Sequence, residues 1–209
     1  MSKNPHSVLF LGKEKDAHVA RAVGFCRLNF ATVGVYLGKW GDPFPDGVRS
    51  ADWDYIISYL SRWVVPADLL NKAKLAVNFH PGPPEYPGYG CNNFAIYEAA
   101  NDYGVCCHHM ALRVDAGAII ATKRFPVLSN DDGGTLLARA YDYQLVLFYE
   151  VVARIIREED LPVSREKWMR KPFTRRQFDE LGRITADMTQ EEVARRTRAT
   201  NVGALKPAG

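Results

Sequence analysis

Short apolar runs alternate with helix-type segments through the first 80 residues of this chain of 209 residues, and this alternation most restricts how the chain can fold. We predict strands at 7–12, 32–37, 53–60 and 75–79, and helices at 16–25 and 66–70. The strands are continuously apolar, which is typical of strands buried on both faces. The alternation therefore predicts an α/β fold, a Rossmann-like, mostly parallel sheet with helices on both faces.

The second part of the chain adds further elements and then changes in charge. We predict helices at 92–100 and 135–157, a strand at 104–113, and a turn at 114–120 that enters another strand. Residues 161–209 carry 11 Lys or Arg against 6 Asp or Glu, whereas residues 1–160 carry 16 against 18. We therefore predict one domain at 1–160 and a basic C-terminal extension at 161–209 that packs on it or forms a subunit contact. Within the extension, a capping box at Thr189 predicts a short helix, and residues 204–209 are expected to fray.

Composition and local patterns exclude several classes of protein. No stretch approaches the ~20 apolar residues of a membrane span, and the N-terminal residues enter a strand without a secretory apolar segment. We therefore expect a cytoplasmic protein. Four scattered cysteines show no disulfide spacing. The first strand–helix junction, at 11–15, lacks the Gly-x-Gly-x-x-Gly pattern, so no bound dinucleotide is predicted.

The segment Val77-Asn78-Phe79-His80-Pro81-Gly82 ends the fourth predicted strand in a loop rich in Pro and Gly. Side chains alternate along a strand, so Asn78 and His80 project to the same side. Ligands of open α/β sheets bind at the carboxyl ends of strands, which favours an active site here. A capping Asn and a structural His at a turn are the alternative.

Four segments in register resemble the folate-dependent formyltransferase family: Asn-x-His-Pro-Gly at 78–82, Tyr-Pro-Gly at 86–88, Gly-Val-Cys-Cys-His at 104–108 and Asp-x-Gly at 115–117. The resemblance implies that residues 1–160 form the formyltransferase catalytic domain and that 10-formyltetrahydrofolate is the co-substrate. It also implies that Asn78, His80 and Asp115 are catalytic. One departure is Cys106, where the family commonly has Thr.

The three residue types suit the formyl transfer that this resemblance implies. An amine that attacks a carbonyl carbon creates an oxyanion, and the Asn78 amide can stabilise it without adding charge. His80, with an ordinary pKa near ~6.5, is expected to take the proton that the amine loses. Asp115 is expected to orient the imidazole and favour its protonated form.

The loop after His80 resembles the sugar N-formyltransferase branch, which acts on nucleotide-linked amino sugars. Tyr-Pro-Gly-x-Gly at 86–90 and Asn-Phe-Ala-Ile-Tyr at 93–97 carry this resemblance, together with 168–174, 184–188 and 195–200. We therefore expect a nucleoside-diphosphate-linked amino sugar as acceptor. Length argues against the initiator-tRNA branch, which has an extra C-terminal domain. Glycinamide ribonucleotide transformylase and a catalytically silent folate- or nucleotide-binding module are the alternatives.

Binding residues are expected on both sides of this strand end. For the co-substrate we predict contacts in the loop after the third strand and at the carboxylate, namely Arg62, Trp63, Val65 and Asp115. For the acceptor we predict contacts along the loop after His80, in the helix that follows and on the next strand, namely Pro81, Tyr89, Asn92, Asn93 and His108. A hydrogen-bonded core position is an equal alternative for His108. The arginines of 165–176 could pair with a diphosphate, or form an exposed basic face.

Other interpretations of the same residues are less favourable. Alternation along a strand lets only two of Cys106, Cys107, His108 and His109 converge, whereas a zinc site needs three or four ligands, so no metal is predicted. Cys91 with His80 lacks the surroundings of a nucleophile–base pair. We predict neither a nucleic-acid nor a membrane partner. A homodimer is one outcome of the subunit contact considered above for residues 161–209.

Overall fold

The six strands of a single sheet position the polar residues singled out above. A computed structural model describes residues 3–201. The strand order is β2-β1-β3-β4-β5-β6, where the strands are β1 (Asn4–Lys13), β2 (Phe30–Gly38), β3 (Tyr55–Tyr59), β4 (Leu75–His80), β5 (Asp102–His109) and β6 (Ile119–Pro126). The first four strands pair in parallel, and β5 runs antiparallel to both β4 and β6. The mostly parallel sheet is confirmed, with one reversed strand.

Six α-helices accompany the sheet in residues 3–201, and side-chain caps at Asp16, Asp132, Thr174 and Thr189 mark where four of them begin. They are α1 (Ala17–Asn29), α2 (Ala67–Leu70), α3 (Cys91–Tyr97), α4 (Gly133–Ile156), α5 (Arg175–Leu181) and α6 (Gln190–Thr200). Helix α1 continues four residues beyond its predicted end. Helix α5 was not predicted, although the Thr174 side chain and Gln177 form a capping box at its start. The Arg-rich composition of this segment had indicated an irregular extension.

The start of α6 follows the prediction only in part. The Thr189 hydroxyl accepts a hydrogen bond from the Glu192 N–H, as a capping box requires. The Glu192 carboxylate, however, accepts hydrogen bonds from Tyr97 on α3 and from Arg195 and Arg196 on α6. Glu192 therefore ties α6 to α3 instead of closing the box. The predicted fraying at 204–209 lies outside the described residues.

Two apolar clusters cover the two faces of the sheet. On one face Phe148 of α4 is fully buried, with ring centroids 5.0 Å from Phe79, 5.2 Å from Tyr59 and 6.3 Å from Phe10. Burying one such side chain stabilises the fold by roughly 2–3 kcal/mol. The opposite face is covered by a 3₁₀ turn at Asp46–Ser50 and by α2, which pack on alternate residues of β1 and β3. Helices on both faces are thus confirmed, but the long ones lie on one face.

The chain after α4 returns across the carboxyl end of the sheet. We call residues 164–174 the C-terminal strap. It is held by main-chain hydrogen bonds, since Phe173 N–H donates to the Pro87 carbonyl and Tyr89 N–H donates to the Phe173 carbonyl, each at 2.9 Å. The Phe173 ring stacks on Phe94 of α3 at 3.8 Å. The described part of the extension therefore packs on the preceding residues, whereas a subunit contact stays a prediction.

Within residues 3–201, no helix combines the length and the apolar character needed to cross a bilayer.

Candidate active site

Strand β4 delivers Asn78 and His80 to the carboxyl end of the sheet on one face. His80 is the last residue of the strand and is 5% exposed, whereas Asn78 is half-buried. Because β5 is antiparallel, His108 lies opposite Asn78, and Cys106 lies opposite His80. The reversed strand therefore adds a second histidine to the same face. Sequence pattern did not predict that reversal.

Asp115 reaches these residues from the segment between β5 and β6. Its backbone has a φ of 43°, a left-handed conformation that non-glycine residues seldom adopt. Two residues later, a Cβ on Gly117 would lie 1.7 Å from the His109 carbonyl oxygen, so only glycine fits there. The Gly88 N–H donates to Asp115 Oδ2 at 2.8 Å. The backbone thus aims a buried carboxylate at the two histidines.

Both ring nitrogens of His80 face acceptors. Nδ1 lies 3.3 Å from Asp115 Oδ2, and Nε2 lies 2.9 Å from the Tyr86 carbonyl oxygen. Burial by itself lowers the pKa of His80, but the Asp115 carboxylate, the Cys91 thiol and the Tyr86 carbonyl raise it to about 9. Burial raises the pKa of Asp115, yet His80, His108 and the Gly88 N–H together lower it well below its usual range. The pair is therefore an ion pair at neutral pH.

The raised pKa bears on the role expected for His80, which stays a prediction. An imidazole with a pKa near ~6.5 could accept a proton at neutral pH. With a pKa of about 9, His80 holds that proton in the free protein, so it has to donate it before it can accept another. The physical reason is the buried carboxylate at 3.3 Å, which favours the charged form more than burial disfavours it.

His108 joins Asn78 to Asp115. Its Nδ1–H donates to the His109 carbonyl at 2.8 Å, which leaves Nε2 facing the site. Nε2 lies 3.0 Å from Asn78 Nδ2 and 3.3 Å from Asp115 Oδ1. The four side chains thus form one chain in the order Asn78, His108, Asp115, His80. The two readings of His108 weighed from the sequence, core residue and site residue, are compatible, since it is 3% exposed and contacts the site.

Sequence reasoning missed two further side chains, one that contacts both histidines and one that contacts the β4 main chain between Asn78 and His80. Trp168 of the C-terminal strap has its ring 5.1 Å from His108 and 6.0 Å from His80, both nearly edge to face. Gln144 of α4 is fully buried and donates to the Phe79 carbonyl at 2.7 Å, between Asn78 and His80. A polar residue in the apolar stripe of a helix was the available signal for Gln144. For Trp168, the sequence offered one signal, its place in the segment 168–174 that resembles the sugar N-formyltransferase branch.

The residues predicted to bind the co-substrate lie in the loop after β3, at the same edge of the sheet. Arg62 is exposed. The Trp63 ring lies against Gly38, where a Cβ would be 2.2 Å from it, and its Nε1–H donates to the Asp42 carbonyl at 3.0 Å. Val65 is 8% exposed and belongs to the apolar cluster of the second face. Side chains at 63 and 65 thus stabilise the loop, and their contact with a folate stays a prediction.

The residues predicted to bind the acceptor have different surroundings. The Pro81 carbonyl accepts the Tyr103 hydroxyl at 2.9 Å, and Tyr89 lies at the rim, stacked on Trp40 at 6.0 Å. Asn92 and Asn93 are buried, and their amides donate at 2.7 Å to the carbonyls of Gly133 and Ala199, respectively. These contacts give both asparagines a structural task. Their predicted contact with substrate is not tested by the structure.

Three cysteines lie close to the two histidines, and their surroundings bear on cysteine and metal chemistry. Cys91 is buried, and its thiol donates to the Pro81 carbonyl at 3.5 Å. Burial raises the pKa of the Cys106 and Cys107 thiols well above the ordinary value, which keeps both protonated and unreactive. In the described part of the chain, no three side chains of His, Cys, Asp or Glu are arranged to hold a metal ion.

Comparison with known proteins gives a family and a fold. The family model described as "Formyl transferase" matches residues 44–152. Methionyl-tRNA formyltransferase from Levilactobacillus brevis is 31% identical over 116 residues, which are 54% of this chain and 37% of that protein. This chain spans about two fifths of the length of the curated relatives it matches.

Solved structures agree over almost the whole chain. Rv3404c from Mycobacterium tuberculosis, a candidate sugar N-formyltransferase, matches with a TM-score of 0.78 at 22% identity, covering 95% of this chain and 89% of that one. The N-formyltransferase from Helicobacter canadensis, solved with folinic acid and dTDP-3-aminofucose, matches with a TM-score of 0.71 at 20% identity, covering 93% and 80%. At these identities the two likenesses establish the fold, and they confirm the predicted fold class.

Proposed function

Because this chain belongs to the formyl transferase family, we propose that it transfers the formyl group of 10-formyltetrahydrofolate to the amino group of a nucleoside-diphosphate-linked amino sugar. The observation that carries the proposal is the buried chain Asn78, His108, Asp115, His80, which reaches the carboxyl edge of the sheet at the half-buried Asn78. The co-substrate would supply the formyl carbon, whose bond to the folate nitrogen breaks as the bond to the amine nitrogen forms. We assign the proton balance to His80, which donates its proton to the leaving folate nitrogen and takes up the proton that the amine loses.

Asn78 and His80 supply the electrostatics that attack on a formyl carbon needs. Negative charge develops on the formyl oxygen, and preorganised donors in a water-poor site stabilise it by several kcal/mol. The Asn78 amide nitrogen lies 3.0 Å from His108 Nε2 and carries two N–H groups, of which at most one can point at that ring nitrogen. We assign the other N–H to the formyl oxygen. The His80 imidazolium lies on the same face of β4 and adds positive charge beneath this point.

The folate end of the co-substrate is assigned to the loop after β3. The main-chain N–H and C=O groups of Arg62, Val64 and Val65 have no hydrogen-bond partner among residues 3–201. A pterin presents alternating donors and acceptors along one edge, which suits main-chain groups. The packing of Trp63 against Gly38 holds the loop in place. The main-chain groups of this loop fit a pterin, whereas the apolar side chain of Val65 faces the protein interior.

The nucleotide end of the acceptor is assigned to the rim beside Gly88. Tyr89 directly follows Gly88, whose N–H donates to the Asp115 carboxylate. An aromatic residue is therefore next in sequence to a residue that contacts this carboxylate. Trp40, which is 55% exposed, stacks on Tyr89, and the Arg175 guanidinium lies 5.3 Å from the Tyr89 ring centroid. Exposed rings beside an arginine suit a nucleobase and a diphosphate. The solved neighbours, one a candidate sugar N-formyltransferase and one bound to dTDP-3-aminofucose, support the same substrate class.

The direct test is formyl transfer to a panel of nucleoside-diphosphate amino sugars with 10-formyltetrahydrofolate, followed by mass spectrometry. We expect one formyl group to be added to at least one sugar, and none when the donor is omitted or when Asp115→Asn replaces the wild type. Turnover of glycinamide ribonucleotide alone would contradict the proposed acceptor. Folate binding without turnover of any acceptor would contradict the enzymatic proposal.

A second candidate acceptor is methionyl-tRNA, because the curated relatives are methionyl-tRNA formyltransferases. Adding charged initiator tRNA to the same panel separates the two. Formylation of methionyl-tRNA with no product from any sugar would replace the proposed acceptor while leaving formyl transfer and its residues intact.

A further inference from the structure

Trp168 connects the C-terminal strap to the catalytic carboxylate. Its indole N–H donates to the Gly117 carbonyl at 2.8 Å, two residues after Asp115. Its ring lies against both histidines that face that carboxylate, at 5.1 Å and 6.0 Å between ring centroids. One side chain from the extension therefore contacts the Asp115 segment and both partners of Asp115.

The Asp115 segment needs such external support. Its left-handed backbone, with φ at 43°, is one that non-glycine residues seldom adopt and that persists only when neighbours fix it. Two hydrogen bonds from outside the segment do so: Gly88 N–H to the carboxylate, and Trp168 Nε1–H to the Gly117 carbonyl. Without these two hydrogen bonds, the Asp115 carboxylate would no longer be held in its orientation toward His80 and His108.

The two supports belong to one unit. Gly88 lies in the loop after His80, and Trp168 lies in the C-terminal strap. Phe173 joins them, because its N–H donates to the Pro87 carbonyl and its carbonyl accepts from Tyr89, on either side of Gly88. A disturbance of the strap therefore reaches both hydrogen bonds at once.

We infer that Trp168 is a positioning residue, which fixes the segment Asp115–Gly117 and so sets the orientation of Asp115 between His80 and His108. The role in formyl transfer rests on the proposed function, but the orientation of Asp115 does not. Trp168 touches no reacting atom in this assignment. It acts through the carboxylate, whose alignment keeps the ion pair with His80 in place.

The test is NMR titration of the imidazoles in wild type and in Trp168→Phe, which keeps an aromatic ring but lacks the N–H donor. The titratable groups that face His80 are Asp115 from the β5–β6 segment, Cys91 from α3 and Cys106 from β5, with His108 beyond Asp115. In the wild type we expect His80 to titrate at about 9. In Trp168→Phe we expect that value to fall by about one pH unit or more toward the ordinary value, because the carboxylate is less well placed.

The matched control is Trp53→Phe, which removes a comparable hydrogen bond, from the indole N–H to the Val48 carbonyl at 2.8 Å, just before the amino end of β3, whereas His80 lies at the carboxyl end of β4. We expect His80 to titrate there as in the wild type. Equal His80 titration in Trp168→Phe and wild type would overturn the inference. Thermal unfolding of both variants separates misplacement of Asp115 from general loss of structure, and Trp168→Leu replaces Trp168→Phe if the latter does not fold.

Enzyme kinetics separate this inference from the proposed function. If formyl transfer occurs, Trp168→Phe should lower kcat several-fold with KM for the acceptor little changed. If no acceptor is formylated by the wild type, the proposed function fails while the titration still decides the role of Trp168.

Discussion

Two parts of the carboxyl edge differ sharply in how their polar groups are partnered. Around Asp115 the side chains are buried, and each polar atom of His80, His108 and the carboxylate faces a protein group. At the rim, Trp40 is 55% exposed and Tyr89 is half-buried, and in the loop after β3 the main-chain groups of Arg62, Val64 and Val65 have no hydrogen-bond partner among the described residues. Under the proposed function, the groups assigned to catalysis are therefore fixed before substrate arrives, whereas the surfaces assigned to recognition complete their contacts with the ligand.

The largest expected effect comes from a substitution among the buried, fully partnered groups around Asp115. Asp115→Asn keeps the shape but removes the charge that holds the His80 proton, so kcat should fall by roughly 10³-fold or more. The His80 pKa should also fall from about 9 toward or below its ordinary value. Single-turnover formyl transfer and imidazole NMR measure the two effects. Asp132→Asn, at the N-cap of α4, is the control and should retain wild-type kcat, since Asn caps a helix as well as Asp. Near wild-type turnover in Asp115→Asn would remove Asp115 from the catalytic residues.

The pH dependence sharpens the same contrast. The folded-state pKa of His80 is raised from 6.5 to about 9, so its contribution to stability is complete below 6.5 and is lost as pH rises through 9. The free energy of unfolding should fall over this window by on the order of 3 kcal/mol at most. Urea unfolding at a series of pH values measures it. Asp115→Asn should flatten the change, and a wild-type stability that is constant from pH 6.5 to 9 would refute the ion pair.

Activity should follow the charge of His80 in the same direction. If the imidazolium is the active form, kcat/KM should decline as pH rises through about 9. A general base with an ordinary pKa would instead give a rate that rises through ~6.5 and then levels off. The pH–rate profile of kcat/KM distinguishes the two forms.

Changes in the open part should affect binding more than chemistry. Trp40→Ala removes the exposed ring that stacks on Tyr89, and we expect KM for the nucleotide sugar to rise about tenfold, with kcat within twofold of wild type. Trp40→Phe keeps a ring and should recover most of the affinity. An unchanged KM in Trp40→Ala would place the nucleobase elsewhere.

The smallest effect separates a structural task from a binding task. Asn93→Ala leaves the buried Ala199 carbonyl without its donor and should lower the free energy of unfolding by about 1–3 kcal/mol. If the task is structural, KM and kcat should hardly change below the melting temperature. A large rise in KM without loss of stability would favour the substrate contact predicted from the sequence.

Several features of the fold were readable from the sequence because they depend on local chemistry. Apolar runs gave β1 to β4, and the alternation along β4 put Asn78 and His80 on one face. Helix ends were less accurate, since caps such as Asp16 and Asp132 decide them residue by residue. Helix α5 was missed because composition outweighed its capping box at Thr174.

Other features depend on contacts between residues distant in the chain. The reversal of β5, which places His108 beside Asn78, follows from pairing across the sheet and has no local pattern. The same holds for Trp168, which lies 88 positions after His80 and reaches it only because the C-terminal strap returns over the loop after His80.

The sequence by itself determined which chemical groups this protein has and on which face of β4 two of them lie, because strand periodicity is a property of a few consecutive residues. Only the tertiary structure decided the charge on His80. The proton on His80 depends on a carboxylate 35 positions away that folding brings within 3.3 Å, in surroundings where water no longer screens the pair.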